Sequence, residues 1–440
     1  MTTFTPAVDL PRRKLRLLPP PGQPAIDLAE HLARYGPLPY RGGRGLLIDD
    51  VRAAGLTGRG GAAFPVHRKL TAVLRAADGR RPVVVANGAE GEPASAKDKS
   101  LLLLAPHLVL DGIQLAAEAV GADEAVLYVG TDERGSTWLT SLISQRRAAG
   151  VDLAAVRLIM APPRFIAGQE SALANRISGK PALPSFAPPR VYQRGVDGRP
   201  TLVQNVETLA HLSLIGRYGP SWFRAVGTAD EPGTAICTLR QADGRVDLTE
   251  APLGSPLASL LDLRGGPGCT AVLVGGYHGA WLPAATAAEL TLSNADLKPH
   301  GASVGAGVLA ALPQDRCGLR ETARVARYLA LESAGQCGPC RNGLPRIAGA
   351  LAELADVSHP ADAPWRRPDP EIIADLRRWA GLVERRGACA HPDGTVRFVA
   401  SALRVFGAEV GSHLRGRCTK PNLWPFLPVA AGPTQEQDWW

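Results

Sequence analysis

Pro82-Val83-Val84-Val85-Ala86-Asn87-Gly88-Ala89-Glu90-Gly91-Glu92-Pro93 is an apolar run that stops at a glycine-bearing, acidic turn. Pro82 to Ala86 reads as a strand, with no polar residue to mark a solvent face. The two acids then stand at its carboxyl end, where α/β folds place ligand-binding groups. Taken alone, the same turn also reads as a solvated one. Working outward, Ala125 to Val129 and Val156 to Met160 are strand-like, while Pro106 to Val120 and Asn205 to Ile215 have helical periodicity. This alternation, from Leu47 to about Arg217, predicts the α/β fold class.

The chain of 440 residues is 45% hydrophobic and 20% charged, which suits a soluble globular protein of several domains. No stretch approaches the roughly 18 apolar residues needed to span a bilayer, and no secretory signal is visible before Leu18. Seven cysteines, an odd number scattered over a long chain, do not suggest a disulfide framework and point to a reducing, cytoplasmic compartment. The net charge of +8 comes from evenly spread arginines, and aromatics are 5% of the chain. Nucleic-acid binding calls for a basic stripe with interleaved aromatics and is not expected.

Gly55-Leu56-Thr57-Gly58-Arg59-Gly60-Gly61-Ala62-Ala63-Phe64-Pro65 opens a predicted helix that continues through Lys69 and Leu74. Glycines let backbone approach a ligand closely, and a helix start presents free N–H groups to an anion. Arg59 and Lys69 add positive charge. The loop is neither the phosphate loop of nucleoside triphosphatases nor the dinucleotide fingerprint, and as a bare glycine loop it also reads as a plain turn. Glu170, Asn205 and Thr208 stand beside apolar helical runs, where such residues are usually caps.

Glu332-Ser333-Ala334-Gly335-Gln336-Cys337-Gly338-Pro339-Cys340-Arg341, with Cys389 beyond a helical stretch, reads as a ligand set for an iron–sulfur cluster or a metal. A complete set has four cysteines, and Ala334 sits where one more step of the two-residue spacing would place another. Cys237, Cys269 and Cys317 read as small core residues. Short strands and turns between about Pro232 and Pro299 suggest a small β-rich module, and the pattern is helical from Glu321 to Leu414 apart from a Pro-rich loop, Ser358 to Pro370.

Taken together and in order, these segments resemble the flavoprotein, NADH-oxidising subunit of respiratory complex I and its relatives in soluble hydrogenases and formate dehydrogenases. The matching stretches are Gly58 to Pro65, Asn87 to Glu92 with Lys97-Asp98, Gly168 to Leu173, Gly198 to Thr201, Asn205 to Ala210, and the Cys337 motif. The resemblance implies an α/β FMN-binding domain, a small β-grasp module and a C-terminal helical bundle of the iron–sulfur type. The expected boundaries are an N-terminal arm over residues 1–46, the FMN domain over 47–225, the β-grasp module over 226–300, the helical domain over 301–415 and a tail over 416–440. It implies cofactor contacts from Gly58, Arg59, Gly60, Gly61, Lys69, Asn87, Glu90, Glu92, Glu170, Asn205 and Thr208, and from Phe64 at a place where the family packs the NADH rings, with Glu90 as the catalytic residue. Cys337, Cys340 and Cys389 would ligate a [4Fe–4S] cluster, with Ser333, Cys418, a water or a partner's residue as the fourth ligand.

The departures bear on the electron donor. The family's Asn-Ala-Asp-Glu-Gly-Glu-Pro turn has Ala89 for its Asp, and a Tyr-x-x-Gly-Glu-Glu stretch becomes Phe165 to Glu170, with Gln169 for a Glu. A Lys-Pro-Pro-Phe stretch becomes Ala187-Pro188-Pro189-Arg190, and a Lys-Trp pair becomes Lys69-Leu70. Stacking on an aromatic ring is worth on the order of 1–3 kcal/mol per base, so the expectation is an electron-transfer flavoprotein with an eroded NADH (NAD) site. The alternatives are a conventional NADH dehydrogenase subunit and a cofactor-poor scaffold. The expected partner is a ferredoxin-like or thioredoxin-like [2Fe–2S] protein, or a membrane electron-transfer complex that would hold this cytoplasmic chain at a membrane.

Overall fold

A computed structural model describes residues 16–20, 22–264, 268–355, 367–420, 425–429 and 439. The start of the N-terminal arm, most of the Pro-rich loop, and Trp424 and Trp440 of the tail lie outside the described residues.

Four parallel strands form the first sheet: β1 (Val83–Gly88), β2 (Glu124–Val129), β3 (Ala155–Met160) and β4 (Thr201–Asn205), in the order β3-β2-β1-β4. Val83, Val84 and Val85 are wholly buried, as a strand covered on both faces requires; each such side chain contributes about 1.5–3 kcal/mol relative to exposure. β1 leads outward to β2 and β3 while β4 returns on its other side, so the strand order reverses between β1 and β4. Register places Asn87 opposite Asn205 at that point, which is where open α/β sheets bind ligands.

The helix Pro106–Val120 packs on Val206–Arg224. A Cβ on Gly112 would lie 2.0 Å from the Leu209 carbonyl oxygen, so this approach requires glycine. Asp111 lies in the same interface and is buried. It accepts from His31 Nε2 at 2.8 Å, Arg146 at 2.8 Å and Arg217 at 2.6 Å. These bonds fix the N-terminal helix Leu28–Tyr35 against the domain.

A five-stranded sheet follows, built of β5 (Thr234–Arg240), β6 (Val246–Pro252), β7 (Cys269–Val274), β8 (Ala280–Pro283) and β9 (Val308–Pro313). Its order is β6-β5-β9-β7-β8, with β5 and β9 parallel and the other pairs antiparallel. β9 is a central strand, so the sheet extends past residue 300, where the sequence pattern alone would end the module. The helices Gly318–Leu331, Leu344–Ala355, Ile372–Val383, His391–Val405 and Gly407–Leu414 complete the chain and bury a core around Leu319, Leu351 and Phe398. The segments are tied together by buried polar contacts. Glu250 of β6 accepts from the Arg16 and Leu17 amides, and Glu207 accepts from the Ile236 amide at 2.9 Å. Among the described residues no single helix is long and apolar enough to cross a membrane.

His107 offers a test of this packing. Its ring is buried against His31, and neither nitrogen has a hydrogen-bond partner among the described residues. Burial, then the His31 and Arg146 charges, bring its pKa down to about 4. The folded state therefore refuses a proton that the unfolded chain accepts below about 6.5, and stability falls as pH falls through that window. The expected contribution is a loss of about 2 kcal/mol between pH 7 and pH 5. A His107→Phe variant should show a correspondingly shallower decline in urea midpoint, and an unchanged slope would sink the assignment.

Candidate functional site

A cavity of about 530 Å³ opens at the carboxyl ends of β1 and β4. One wall is the glycine loop, closed on itself by the Gly58 amide donating to the Phe64 carbonyl at 2.9 Å and by a Thr57–Pro65 bridge. Gly60 and Gly61 form its tip. Gly61 has φ +106°, which disfavours a side chain, and a Cβ on Gly60 would sit 3.3 Å from the Asn205 Cβ. The loop leads into the helix Val66–Ala77, with Pro65 in the capping position.

The opposite wall is the acidic turn. Asn87 donates from Nδ2 to the Gly168 carbonyl at 2.8 Å and accepts from the Ala89 amide at 3.2 Å. Asn205 ends β4 and caps Val206–Arg224, accepting from the Glu207 amide at 3.0 Å. Its Nδ2 donates to Asp98 at 2.7 Å and to the Asn87 carbonyl at 3.3 Å. A buried ammonium completes this floor: Lys97 donates to Asp98 at 2.7 Å and to Glu207 at 2.9 Å. Burial alone would lower its pKa, but the Asp98, Glu207 and Glu90 carboxylates outweigh that and raise it, keeping Lys97 charged.

Glu90 accepts from the Ser95 hydroxyl and from the Asp98 and Lys99 amides at 3.2 and 3.3 Å. It thus caps the helix Lys97–Leu104. Burial and the nearby Asp98 carboxylate push its pKa up. Glu92 accepts from the Tyr277 amide at 2.7 Å and the Ala94 amide at 3.2 Å, joining the turn to the second sheet; burial raises its pKa to about 7.

Of the residues expected from the sequence, Arg59, Gly60, Gly61, Asn87, Glu90, Glu92 and Asn205 line the cavity. Gly58, Phe64, Lys69, Glu170 and Thr208 do not. Lys69 is occupied by Glu170 at 3.3 Å and the Val203 carbonyl at 3.0 Å. Thr208 accepts from the Arg59 amide at 2.8 Å, and the Arg59 guanidinium is spent on Thr57, Pro232 and Thr234 carbonyls. Both residues brace the loop. Lys97 and Asp98, which also line the cavity, and Glu207 beneath them stand in stretches that match the family but are not among the individual site residues expected from the sequence. Their signal in the sequence is three ionisable residues at helix starts within otherwise apolar surroundings.

Cys389 lies in the wall of the same cavity. Cys340 is buried on the irregular turn Pro339–Gly343, whose Arg341 amide bonds back to the Cys337 carbonyl at 2.9 Å. Burial, then its neighbours Cys337 and Cys389, push the Cys340 thiol up, with Ser333 acting in the opposite sense. Cys337, Cys389 and Ser333 are thus near enough to Cys340 to act on its thiol. Cys418 does not join them; it lies with Cys317 and His413. Ala334 packs at the edge of an apolar cluster that includes Ile166, Ala182 and Trp439. Trp439 covers the chain's own surface, with the Arg164 guanidinium 4.2 Å from its ring centre.

Two histidines between the cavity and the helices had no sequence signal. His391 donates from Nε2 to the Leu329 carbonyl at 2.8 Å, which leaves Nδ1 to accept from His278 Nε2 at 3.0 Å. Burial lowers both pKa values, that of His391 to about 4, so the pair is neutral.

A second cavity, about 990 Å³, lies across the acidic turn at the ends of β2 and β3, lined by Thr131, Asp132, Trp138 and Arg164 among others. Neither the glycine loop nor any of the cysteines reaches it.

Residues 51–214 match the family described as the Nuo51 FMN-binding domain, and residues 320–413 match the NADH-ubiquinone oxidoreductase-F iron-sulfur binding region. The F-type subunit of the NADH-quinone oxidoreductase of Streptomyces coelicolor is 28% identical over 394 residues, covering 84% of this chain and 83% of the relative. Among solved structures, the NAD+-reducing [NiFe]-hydrogenase superposes with TM-score 0.77 and 26% identity in its H2-reduced state, over 89% of this chain and 67% of that one. In its air-oxidized state the values are 0.74 and 28%, over 86% and 64%. The F-type subunit of the NADH-quinone oxidoreductase of Rhodobacter capsulatus is 30% identical over 393 residues, 86% of this chain and 89% of the relative. The chain belongs to this family, the F-type subunits of NADH-quinone oxidoreductase.

Proposed function

We propose that this chain is an electron-transfer flavoprotein subunit holding FMN in the cavity of about 530 Å³ and a [4Fe–4S] cluster on Cys337, Cys340 and Cys389. The observation that carries this reading is Cys389, which lines the same cavity as the glycine loop and the Asn87–Asn205 pair. The cavity's size suits a nucleotide-sized ligand. The glycine backbone at its rim suits a flat, phosphate-bearing group. When bound, the flavin supplies two-electron chemistry and the cluster one-electron chemistry, so their adjacency allows electrons to pass singly to a redox partner. The hydrogenase and quinone-oxidoreductase relatives support a redox-protein partner.

The chain's residues have separable tasks in this reading. Gly60 and Gly61 offer backbone N–H groups, and Arg59 and Thr208 hold that loop in place. Asn87 and Asn205 present side-chain amides at the strand ends. Glu90 is a positioning residue, since its carboxylate is committed to the helix start. Ser333, near Cys340, is the fourth ligand that the chain itself offers. The order β6-β5-β9-β7-β8, with first and last strands parallel at the centre, supports a β-grasp module running through Pro313. The FMN domain then spans about residues 47–225 and the cluster domain about residues 314–415.

The eroded NADH site is part of the same proposal. Leu70, in place of the family's ring, is buried in the domain core and offers a nucleotide nothing to stack on. Ala89 and Gln169, where the family has acids, both line the cavity. The test is the spectrum of anaerobically purified protein with flavin, iron and sulfide assayed on one sample, followed by NADH titration. Flavin and cluster bands with little bleaching at micromolar NADH are expected. Rapid bleaching there would overturn the eroded site, and protein that stays colourless after reconstitution would overturn the flavoprotein itself.

A further inference from the structure

The second thiol cluster is at the far end of the helical region. Cys317 immediately precedes the helix Gly318–Leu331, and His413 lies on Gly407–Leu414 with Cys418 just beyond it. Their ligand atoms all lie within 4.8 Å of one another. Cys317 Sγ is 3.5 Å from His413 Nε2 and 3.3 Å from Glu409 Oε2. Zinc–sulfur bonds of about 2.3 Å and zinc–nitrogen or –oxygen bonds of about 2.0–2.1 Å make the edges of a tetrahedron about 3.5 Å long. The observed separations therefore suit Cys317, His413 and Cys418 as three ligands of one ion, with Glu409 beside Cys317 but outside that group.

The orientation of the ligands supports the same conclusion. His413 Nδ1 donates to the Leu354 carbonyl at 2.9 Å, so the ring's lone pair is at Nε2, the nitrogen that faces Cys317. A backbone carbonyl behind a metal-binding histidine is the usual device for fixing its tautomer. Glu409 is held in turn by the Gly318 amide at 2.9 Å. Glu409 and His413 are four residues apart on one helix, hence on one face. Cys317 and His413 are buried and Cys418 is half-buried.

We propose that Cys317, His413 and Cys418 form a site for one divalent zinc ion, with Glu409 next to the fourth position, separate from the Cys337–Cys340–Cys389 set. Binding releases the two thiol protons to solvent and needs no electron transfer. The ion would clamp the last helix onto the start of the first helix of the bundle, closing the bundle at both ends of its sequence.

The test is metal analysis of the full chain after zinc-supplemented expression and gel filtration, alongside Cys418→Ser and, as a control, Cys340→Ser. About one zinc per chain is expected in the wild type and in Cys340→Ser, with at least a tenfold drop in Cys418→Ser and unchanged iron. Should Cys418→Ser fail to fold, cobalt(II) added to the zinc-free wild type decides. The site requires intense tetrahedral d–d bands with thiolate-to-cobalt charge transfer. Weak octahedral bands, less than a tenth of a zinc in the wild type, or zinc that follows Cys340 instead would overturn the proposal. So would a Cys317–Cys418 disulfide in freshly isolated protein, detected as the loss of two hydrogens by mass.

Discussion

Lys97→Met is expected to lower stability by about 3–5 kcal/mol and to leave the protein unable to retain flavin through gel filtration. Lys97 is 3% exposed and lies between Asp98 and Glu207, which are equally inaccessible. Methionine fills the same space but leaves two carboxylates facing each other in a region where neither reaches water. Removing one member of a buried ionic group exposes the full cost of the remaining charges, which exceeds what the pair contributed. Asn205 would lose its alignment as well, since its two side-chain atoms are shared among Asp98, the Glu207 amide and the Lys97 ammonium. A second substitution, Glu207→Gln, should recover part of the loss by removing one unpaired charge, and this non-additivity is the signature of a coupled group. Urea midpoints and flavin content of the two variants check the prediction. A midpoint change equivalent to under about 1 kcal/mol would show that Lys97 is not the charge that holds this floor together.

This buried group also shows where sequence reading stops. β1 was legible because Val83 to Ala86 is an uninterrupted apolar run, and the pattern itself encodes burial on both faces. β4 was not, because its five residues pass straight into a helix with no intervening loop. Asn205 serves as strand end and helix cap at once, and in sequence it reads only as the cap. The helix Glu133–Ala148 was missed for a different reason: its composition is largely polar and only Leu139, Leu142 and Arg146 are buried. At the site, Asn87 and the glycine loop were visible as polar or flexible residues beside strand and helix ends. Lys97, Asp98 and Glu207 look like solvated helix-start charges until the second sheet covers them. The Ile236 amide that Glu207 receives comes from β5, twenty-nine residues on.

The cysteines divide along the same line. Cys337 and Cys340 announce themselves through local spacing. Cys317 has no such spacing, and beside apolar neighbours it reads as a core residue. Only the folding of Gly407–Leu414 back onto the start of Gly318–Leu331 brings His413 to it. That contact also removes Cys418 from the competition for the cluster. The matching of Cys418 to Cys317 rather than to Cys340 is a tertiary fact with no counterpart in the linear pattern.

Cys340→Ser is expected to reduce iron and acid-labile sulfide to below about a tenth of the wild-type content while flavin stays near its wild-type level. Three thiolates already fall one short of the usual four, so there is no spare ligand to absorb the loss. Cys340 is also the most enclosed of the three, 3% exposed on the turn Pro339–Gly343, so an exogenous thiol or water cannot readily take its place. It does not line the cavity proposed for the flavin, which is why the two cofactors should separate in this variant. Ala334→Cys is the complementary change, expected to slow the bleaching of the cluster in air and to raise iron content in aerobic preparations. Residue 334 lies against the cluster of side chains around Trp439, so the new thiol competes with that packing, and its benefit depends on turning away from the ring. Iron that is unaffected by Cys340→Ser would place the cluster elsewhere in the chain. Iron that falls in Cys340→Ser but does not respond to Ala334→Cys would mean that a thiol at residue 334 does not reach the cluster.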